Sequence, residues 1–297
     1  MSQATDDLRG SLVALVTPMA ESGAVDWAAL DGLVDWHLAS GTNGIVPVGT
    51  TGESATLTHA EHKQVIEAVV RRVDGRVPVV AGTGANATAE AVELTIAAKG
   101  DGADYGLSVT PYYNKPTQEG LVRHYGTIAE ACDLPLVLYN VPPRTACDMR
   151  AETVAQLAEV DSIVAIKEAC GDAARVREIK ALVPDDFVLL SGEDAQTLTM
   201  VGYGATGTIS VTANVLPAQM AEFCKAFLDG DEAKAAELDA RLQPIHDILF
   251  CETSPIPAKW ALGAMGRIDS GIRLPLVELT EASQVEVRRR LEVVGAL

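Results

Sequence analysis

Ser162-Ile163-Val164-Ala165-Ile166-Lys167-Glu168 is an apolar run that stops abruptly at a lysine and a glutamate. A strand so continuously apolar is one buried on both faces, as in a parallel sheet covered by helices. Runs of the same kind lie at 11–17, 44–48, 78–81, 105–109 and 135–139 before it, and at 187–190 and 207–211 after it. Helical stretches alternate with them, among them 27–39, 61–73, 89–99 and 119–131. Eight parallel strands with intervening helices predict an α/β chain closed as a (β/α)8 TIM barrel. A doubly wound open sheet is the alternative, because periodicity alone does not establish closure. Beyond Val215 the strand signal stops, and 217–228, 231–249, 255–265 and 280–294 read as helices. The expected organisation is a barrel over 1–225 and a C-terminal helical region, 226–297, packed on it, since no Pro/Ser linker separates the two.

Composition narrows the function. Of 297 residues, 48% are hydrophobic and 22% charged, too apolar for disorder. No apolar run approaches the ~18 residues needed to span a bilayer. Residues 1–10 are polar and lack the layout of a signal peptide, which predicts a soluble, cytoplasmic protein without membrane partners. Lys+Arg 23 against Asp+Glu 41 gives a net charge of −18, and no basic cluster is present to displace counterions from nucleic acid. The scattered acidic excess reads as a solvated surface or as adaptation to salt. The five cysteines (Cys132, Cys147, Cys170, Cys224, Cys251) form no C-x-x-C, which excludes a disulfide scaffold and a thiolate zinc site. Asn86-Ala87-Thr88 matches a glycosylation sequon, which carries no meaning without export.

In a βα barrel the reactive groups sit at the C-terminal ends of the strands. The second run ends in Gly49-Thr50-Thr51-Gly52-Glu53-Ser54, a cradle for a small carboxylate or an ordinary turn. The third ends in Gly82-Thr83-Gly84-Ala85-Asn86-Ala87, which matches the dinucleotide fingerprint but follows the third unit of the series, where a tight turn is the better reading. The fourth carries Tyr112 and Tyr113, suited to chemistry or to ring packing. The fifth ends in Tyr139-Asn140-Val141-Pro142-Pro143-Arg144-Thr145, placing a phenol at the barrel mouth and a guanidinium that suits a carboxylate or a surface Asp. Lys167 points either into the barrel, where desolvation frees a neutral amine to attack a carbonyl, or onto the rim, paired with Glu168. Beside a phenol and a hydroxyl at neighbouring strand ends, Schiff-base chemistry is favoured. Glu193 and Asp194 read as a helix N-terminus rather than paired catalytic carboxylates. His59 and His62 follow a Thr58-x-x-Glu61 capping box and lack the H-E-x-x-H pattern, so no metal is expected.

Together, the motifs at Gly49–Ser54, Pro111-Tyr112-Tyr113-Asn114-Lys115-Pro116, Tyr139–Thr145 and Ile166-Lys167-Glu168 resemble the dihydrodipicolinate synthase family. The likeness continues through Gly207-Thr208-Ile209-Ser210-Val211-Thr212-Ala213-Asn214 and Thr253-x-Pro255-Ile256-Pro257-x-Lys259, in the family's order. The resemblance implies a class I pyruvate aldolase in lysine biosynthesis, joining pyruvate to L-aspartate 4-semialdehyde with no cofactor. It assigns Lys167 as the Schiff-base lysine, Tyr139 as proton shuttle, and Thr50 and Tyr113 as the rest of the relay. Thr51 would hold the pyruvate carboxylate and Arg144 that of the semialdehyde, with Gly192 and Ile209 lining the site through backbone groups. It further implies a homotetramer in which Tyr113 reaches a neighbouring site, and L-lysine inhibition at Ala55, His59, His62, Asn86, Glu90 and Tyr112. The alternatives are another aldolase of the superfamily, such as N-acetylneuraminate lyase, or a non-catalytic pyruvate or lysine sensor.

Overall fold

Strands β1 (Gly10–Ala14), β2 (Gly44–Val46), β3 (Val80–Gly82), β4 (Tyr105–Val109), β5 (Leu136–Asn140), β6 (Ile163–Glu168), β7 (Val188–Ser191) and β8 (Gly207–Ser210) make one parallel sheet. The computed structural model describes residues 5–297. Neighbours run β2-β1-β8-β7-β6-β5-β4-β3, and an Ile45↔Val79 parallel bridge joins the two ends. Across that seam the Ile45 N–H donates to Pro78 O and the Gly82 N–H to Pro47 O, each at 3.0 Å. The sheet is therefore a closed (β/α)8 barrel rather than a doubly wound open one.

Helices α1 (Trp27–Ala39), α2 (His59–Val73), α3 (Thr88–Gly100) and α4 (Gln118–Ala131) follow the first four strands. Two short helices, α5 (Pro142–Thr145) and α6 (Ala151–Leu157), follow β5, and α7 (Ala174–Lys180), α8 (Thr197–Gly202) and α9 (Pro217–Leu228) follow the last three. Then come α10 (Glu232–Ile248), α11 (Ile256–Ala264) and α12 (Glu281–Val293). Helix α2 starts where its capping box dictates: Thr58 Oγ1 accepts from the Glu61 N–H at 3.2 Å while the Glu61 carboxylate accepts from the Thr58 N–H at 2.9 Å. Among the described residues no helix is long and apolar enough to cross a membrane.

Every strand sends at least one apolar side chain into the barrel, among them Leu12, Val46, Val80, Leu107, Val137, Ala165, Leu190 and Ile209. Outside it lie two apolar layers, one beneath α3, α4, α6 and α7, the other beneath α1, α2 and α9. The second layer also takes Ile245 of α10, Leu262 of α11 and Leu291 of α12, so the C-terminal helices share the core of the barrel wall.

Two local features shape the mouth of the barrel. Ile163 pairs with Leu136, yet Ala165 pairs with Val137, so Val164 is an extra residue in β6. Val164 and Ala165 both face the barrel interior, Ile166 faces the outer layer, and Lys167 turns inward again. Strict alternation from Ile163 would have sent Lys167 outward. The second feature is the loop after β3. A Cβ on Gly82 would lie 2.3 Å from Val48 O, and one on Gly84 2.4 Å from Val109 N. These glycines let strand ends pack backbone to backbone, which accounts for the G-x-G-x-x-A pattern without a dinucleotide. Gly82→Ala is accordingly expected to cost at least about 1–3 kcal/mol through overpacking, read as a lower urea midpoint; an unchanged midpoint would contradict the close packing.

Candidate functional site

Lys167 and Tyr139 are register partners at the C-terminal ends of β6 and β5. Lys167 Nζ lies 4.4 Å from the centroid of the Tyr139 ring, and the two residues are only 5% and 6% exposed. Burial pushes the Lys167 ammonium down to about 8, against the pull of Asp194 and Glu193. Burial likewise pushes the Tyr139 phenol up to about 12, opposed by Arg144 and by the Thr50 hydroxyl. An amine that gives up its proton far more readily than an exposed lysine thus faces a phenol that keeps its own, the combination needed for attack on a carbonyl and for proton transfer. The pairing of Lys167 with Glu168 that the sequence left open does not form. Glu168 faces the opposite side, where both its oxygens accept from Asn140 Nδ2 at 3.1 Å and Oε1 accepts from the Cys170 N–H at 2.8 Å. Burial pushes its carboxyl up to about 7.

Thr50 and Thr51 sit in a loop bracketed by two residues of left-handed backbone, Val48 at φ 48° and Glu53 at φ 56°. For β-branched Val48 that conformation is a true outlier, sustained only where surroundings enforce it. Thr17 Oγ1 donates to Gly52 O at 2.7 Å, and a Cβ on Gly52 would lie 2.9 Å from the Val48 backbone. Thr51 is buried. Gly192 leaves Lys167 its space: a Cβ there would lie 2.9 Å from Lys167 Cε and 2.7 Å from Ala169 Cβ. Ile209 is buried in the barrel interior on β8. Asp194 begins a short 3-10 turn, and its Oδ2 accepts from the N–H groups of Val211 and Thr212 at 2.9 and 2.8 Å, tying together the loops after β7 and β8.

A cavity of about 430 Å³ opens beside the loops after β2, β3, β4 and β5; it reaches Thr50 and Arg144 but is not lined by Lys167 or Tyr139 themselves. Thr50 and Arg144 line it together with Ala55, His59, His62, Glu90 and Tyr112. His59 Nε2 is 2.9 Å from Glu90 Oε1, whereas the buried His62 Nε2 is engaged by Gly82 O at 2.8 Å. The Asn86 amide donates to Tyr112 O at 3.3 Å. Tyr113 stands apart: it is 88% exposed, with φ 76°, and does not line this cavity. No group of three or more His, Cys, Asp or Glu that could hold a metal forms among the described residues. Sequence reading gave no role to Asn140, which anchors Glu168, or to the buried Glu53–Lys259 pair. These residues lie within the strand-end and C-terminal motifs, but nothing local says that they meet.

A sequence profile of the dihydrodipicolinate synthetase family matches residues 7–294. The chain is 56% identical over 290 residues to a 4-hydroxy-tetrahydrodipicolinate synthase from Alcanivorax borkumensis, covering 98% of this chain and 99% of that one. Its fold superposes with TM-score 0.96 on a dihydrodipicolinate synthase from Acinetobacter baumannii crystallised with pyruvate, at 51% identity over 97% of this chain and 99% of that one. A synthase from Cyanidioschyzon merolae with lysine bound gives TM-score 0.95 at 37% identity, over 98% and 99% of the two chains.

The depressed ammonium sets a pH dependence. Only the free amine attacks, so imine formation at Lys167 should level off above about 8 and slow about tenfold per unit below it. Initial rates of borohydride trapping between pH 6 and 9 measure this. A profile still rising steeply at pH 9 would mean that the lysine is not desolvated.

Proposed function

The chain belongs to the dihydrodipicolinate synthetase family, and from that premise we propose that it condenses pyruvate with L-aspartate 4-semialdehyde, releasing 4-hydroxy-tetrahydrodipicolinate for diaminopimelate and lysine synthesis. The observation that carries this reading is the buried Lys167 amine beside the Tyr139 phenol. Lys167 Nζ attacks C2 of pyruvate, and the phenol passes the protons that let the former carbonyl oxygen leave as water. Loss of a C3 proton from the resulting iminium gives an enamine. Its C3 adds to the aldehyde carbon, whose oxygen takes a proton and becomes the hydroxyl. The semialdehyde's amino group then displaces Lys167 at C2 and closes the ring, with one water lost overall.

Thr51 holds the pyruvate carboxylate, Arg144 at the cavity wall holds that of the semialdehyde, and Gly192 and Ile209 contribute backbone groups. Thr50 carries protons from Tyr139, and Tyr113 completes the relay from a second copy of the chain. Its exposure in the single chain supports a site completed across a subunit contact, in a homotetramer of two tight dimers. The lysine-bound Cyanidioschyzon relative supports L-lysine as a feedback inhibitor at Ala55, His59, His62, Glu90 and Tyr112, which line the cavity, and at Asn86, hydrogen-bonded to Tyr112. Glu90 would pair the effector's ammonium. A reduced, cytoplasmic setting suits the five free cysteines.

Incubation with pyruvate and borohydride should leave a stable adduct mapping to Lys167, absent in Lys167→Arg, whose guanidinium stays protonated. The wild type should condense pyruvate with aspartate semialdehyde and not with N-acetylmannosamine. Tyr139→Phe should lose ~10²–10⁴-fold in rate. An adduct on another lysine, or preference for the sugar, overturns the assignment. L-Lysine titrated at fixed pyruvate should inhibit, and Glu90→Ala should weaken that inhibition. Insensitivity to millimolar lysine removes the regulatory site, and a fully active monomer in sedimentation removes the shared one.

A further inference from the structure

The loop that carries Thr50 and Thr51 is held from far away in the chain. Glu53, at its strained end, is fully buried, and its carboxylate is paired with the ammonium of Lys259 on α11, 206 residues on. Lys259 is itself only 3% exposed. The other carboxylate oxygen of Glu53 accepts from the Arg273 N–H at 3.3 Å. The Arg273 guanidinium continues the clamp, donating to Thr56 O at 2.7 Å, to Gly23 O at 2.8 Å and to the Glu61 carboxylate. Within the loop, Gly49 O and Thr50 O accept from the N–H groups of Gly52 and Glu53 at 3.1 Å. Thr50 and Thr51 therefore lie between a strained Val48 and a Glu53 gripped by the C-terminal region.

Stability alone is a poor reason for such a pair. Desolvating two charges costs about as much as their attraction returns, and well-packed apolar residues often do as well or better. What an apolar pair lacks is direction. A carboxylate held at both oxygens keeps a residue in left-handed backbone where packing would let it relax. We infer that Glu53 and Lys259 are positioning residues, through which the C-terminal helical region fixes Thr50 and Thr51 in the geometry that the reaction requires. This rests on the aldolase reading above.

The test separates charge from position. Glu53→Met and Lys259→Met each strand one buried charge and should lose both thermal stability and turnover. The double variant Glu53→Met/Lys259→Met has no stranded charge and should regain most of the melting temperature. Its kcat should nevertheless stay about 10- to 100-fold down, with KM for pyruvate raised, as expected when reacting groups are misplaced by about an ångström. Recovery of kcat and KM along with the melting temperature would overturn the inference. Should the double variant not fold, Glu53→Gln decides, since the amide keeps the side chain's length but is no longer gripped as a carboxylate by Lys259: a lowered kcat and raised KM for pyruvate in the folded variant support the inference, and unchanged kinetics overturn it. Failure of the parent reading is distinct, since wild-type protein would then form no pyruvate adduct at all.

Discussion

The extra residue in β6 is the constraint on which the site depends. Because Val164 is accommodated without a partner on β5, the strand changes phase, and Lys167 comes to face the barrel opposite Tyr139. The same phase sends Asn140 and Glu168, the next register pair, to the outer side. There Asn140 Nδ2 bridges Glu168 and Asp148, and Asp148 is held in turn by Arg175 of α7. The outer network locks the two strand ends together, so the inner pair cannot drift apart without breaking it. Reactive side chains and the polar groups that hold them thus alternate along the same two strands.

Inside the barrel, desolvation dominates the electrostatics. It drives the Lys167 ammonium and the Tyr139 phenol toward their neutral forms, although Glu193 and Asp194 lie close enough to oppose it at the lysine. Arg144 acts on both groups in the complementary sense, favouring the free amine and the phenolate. Burial also raises Glu193 itself, with Lys167 pulling the other way. The wall of Gly192 keeps this arrangement tight, because any side chain there would occupy the space of the lysine's terminal carbons.

The C-terminal helices do more than cover apolar surface. They complete the outer layer beside α1 and α2, and α11 sends the charged side chain of Lys259 through that layer to the loop after β2. The catalytic face is therefore braced by two unrelated means: backbone contacts between strand ends, as at Gly82 and Gly84, and buried ionic contacts from the end of the chain. The first needs residues without side chains, the second residues with long ones.

What the sequence determined is what can be read within a short window. Apolar continuity located all eight strands, and the run at 105–109 and the helices at 27–39 and 217–228 match the structure residue for residue. Elsewhere the limits shift by one to three residues, most at the end of β1, since strand ends are set by pairing rather than composition. The capping box at Thr58 and the ordered series of strand-end motifs were equally local, and they sufficed for the family. Only the tertiary structure decided which way Lys167 faces, because that follows from a register slip against β5 and not from anything in β6 alone. It likewise decided that the glycines at the end of β3 serve backbone packing, that Tyr113 is left exposed in the single chain, and that Glu53 meets Lys259. Side-chain direction and long-range contact depend on strands paired across the barrel, and residues 206 positions apart become neighbours only when the ring closes.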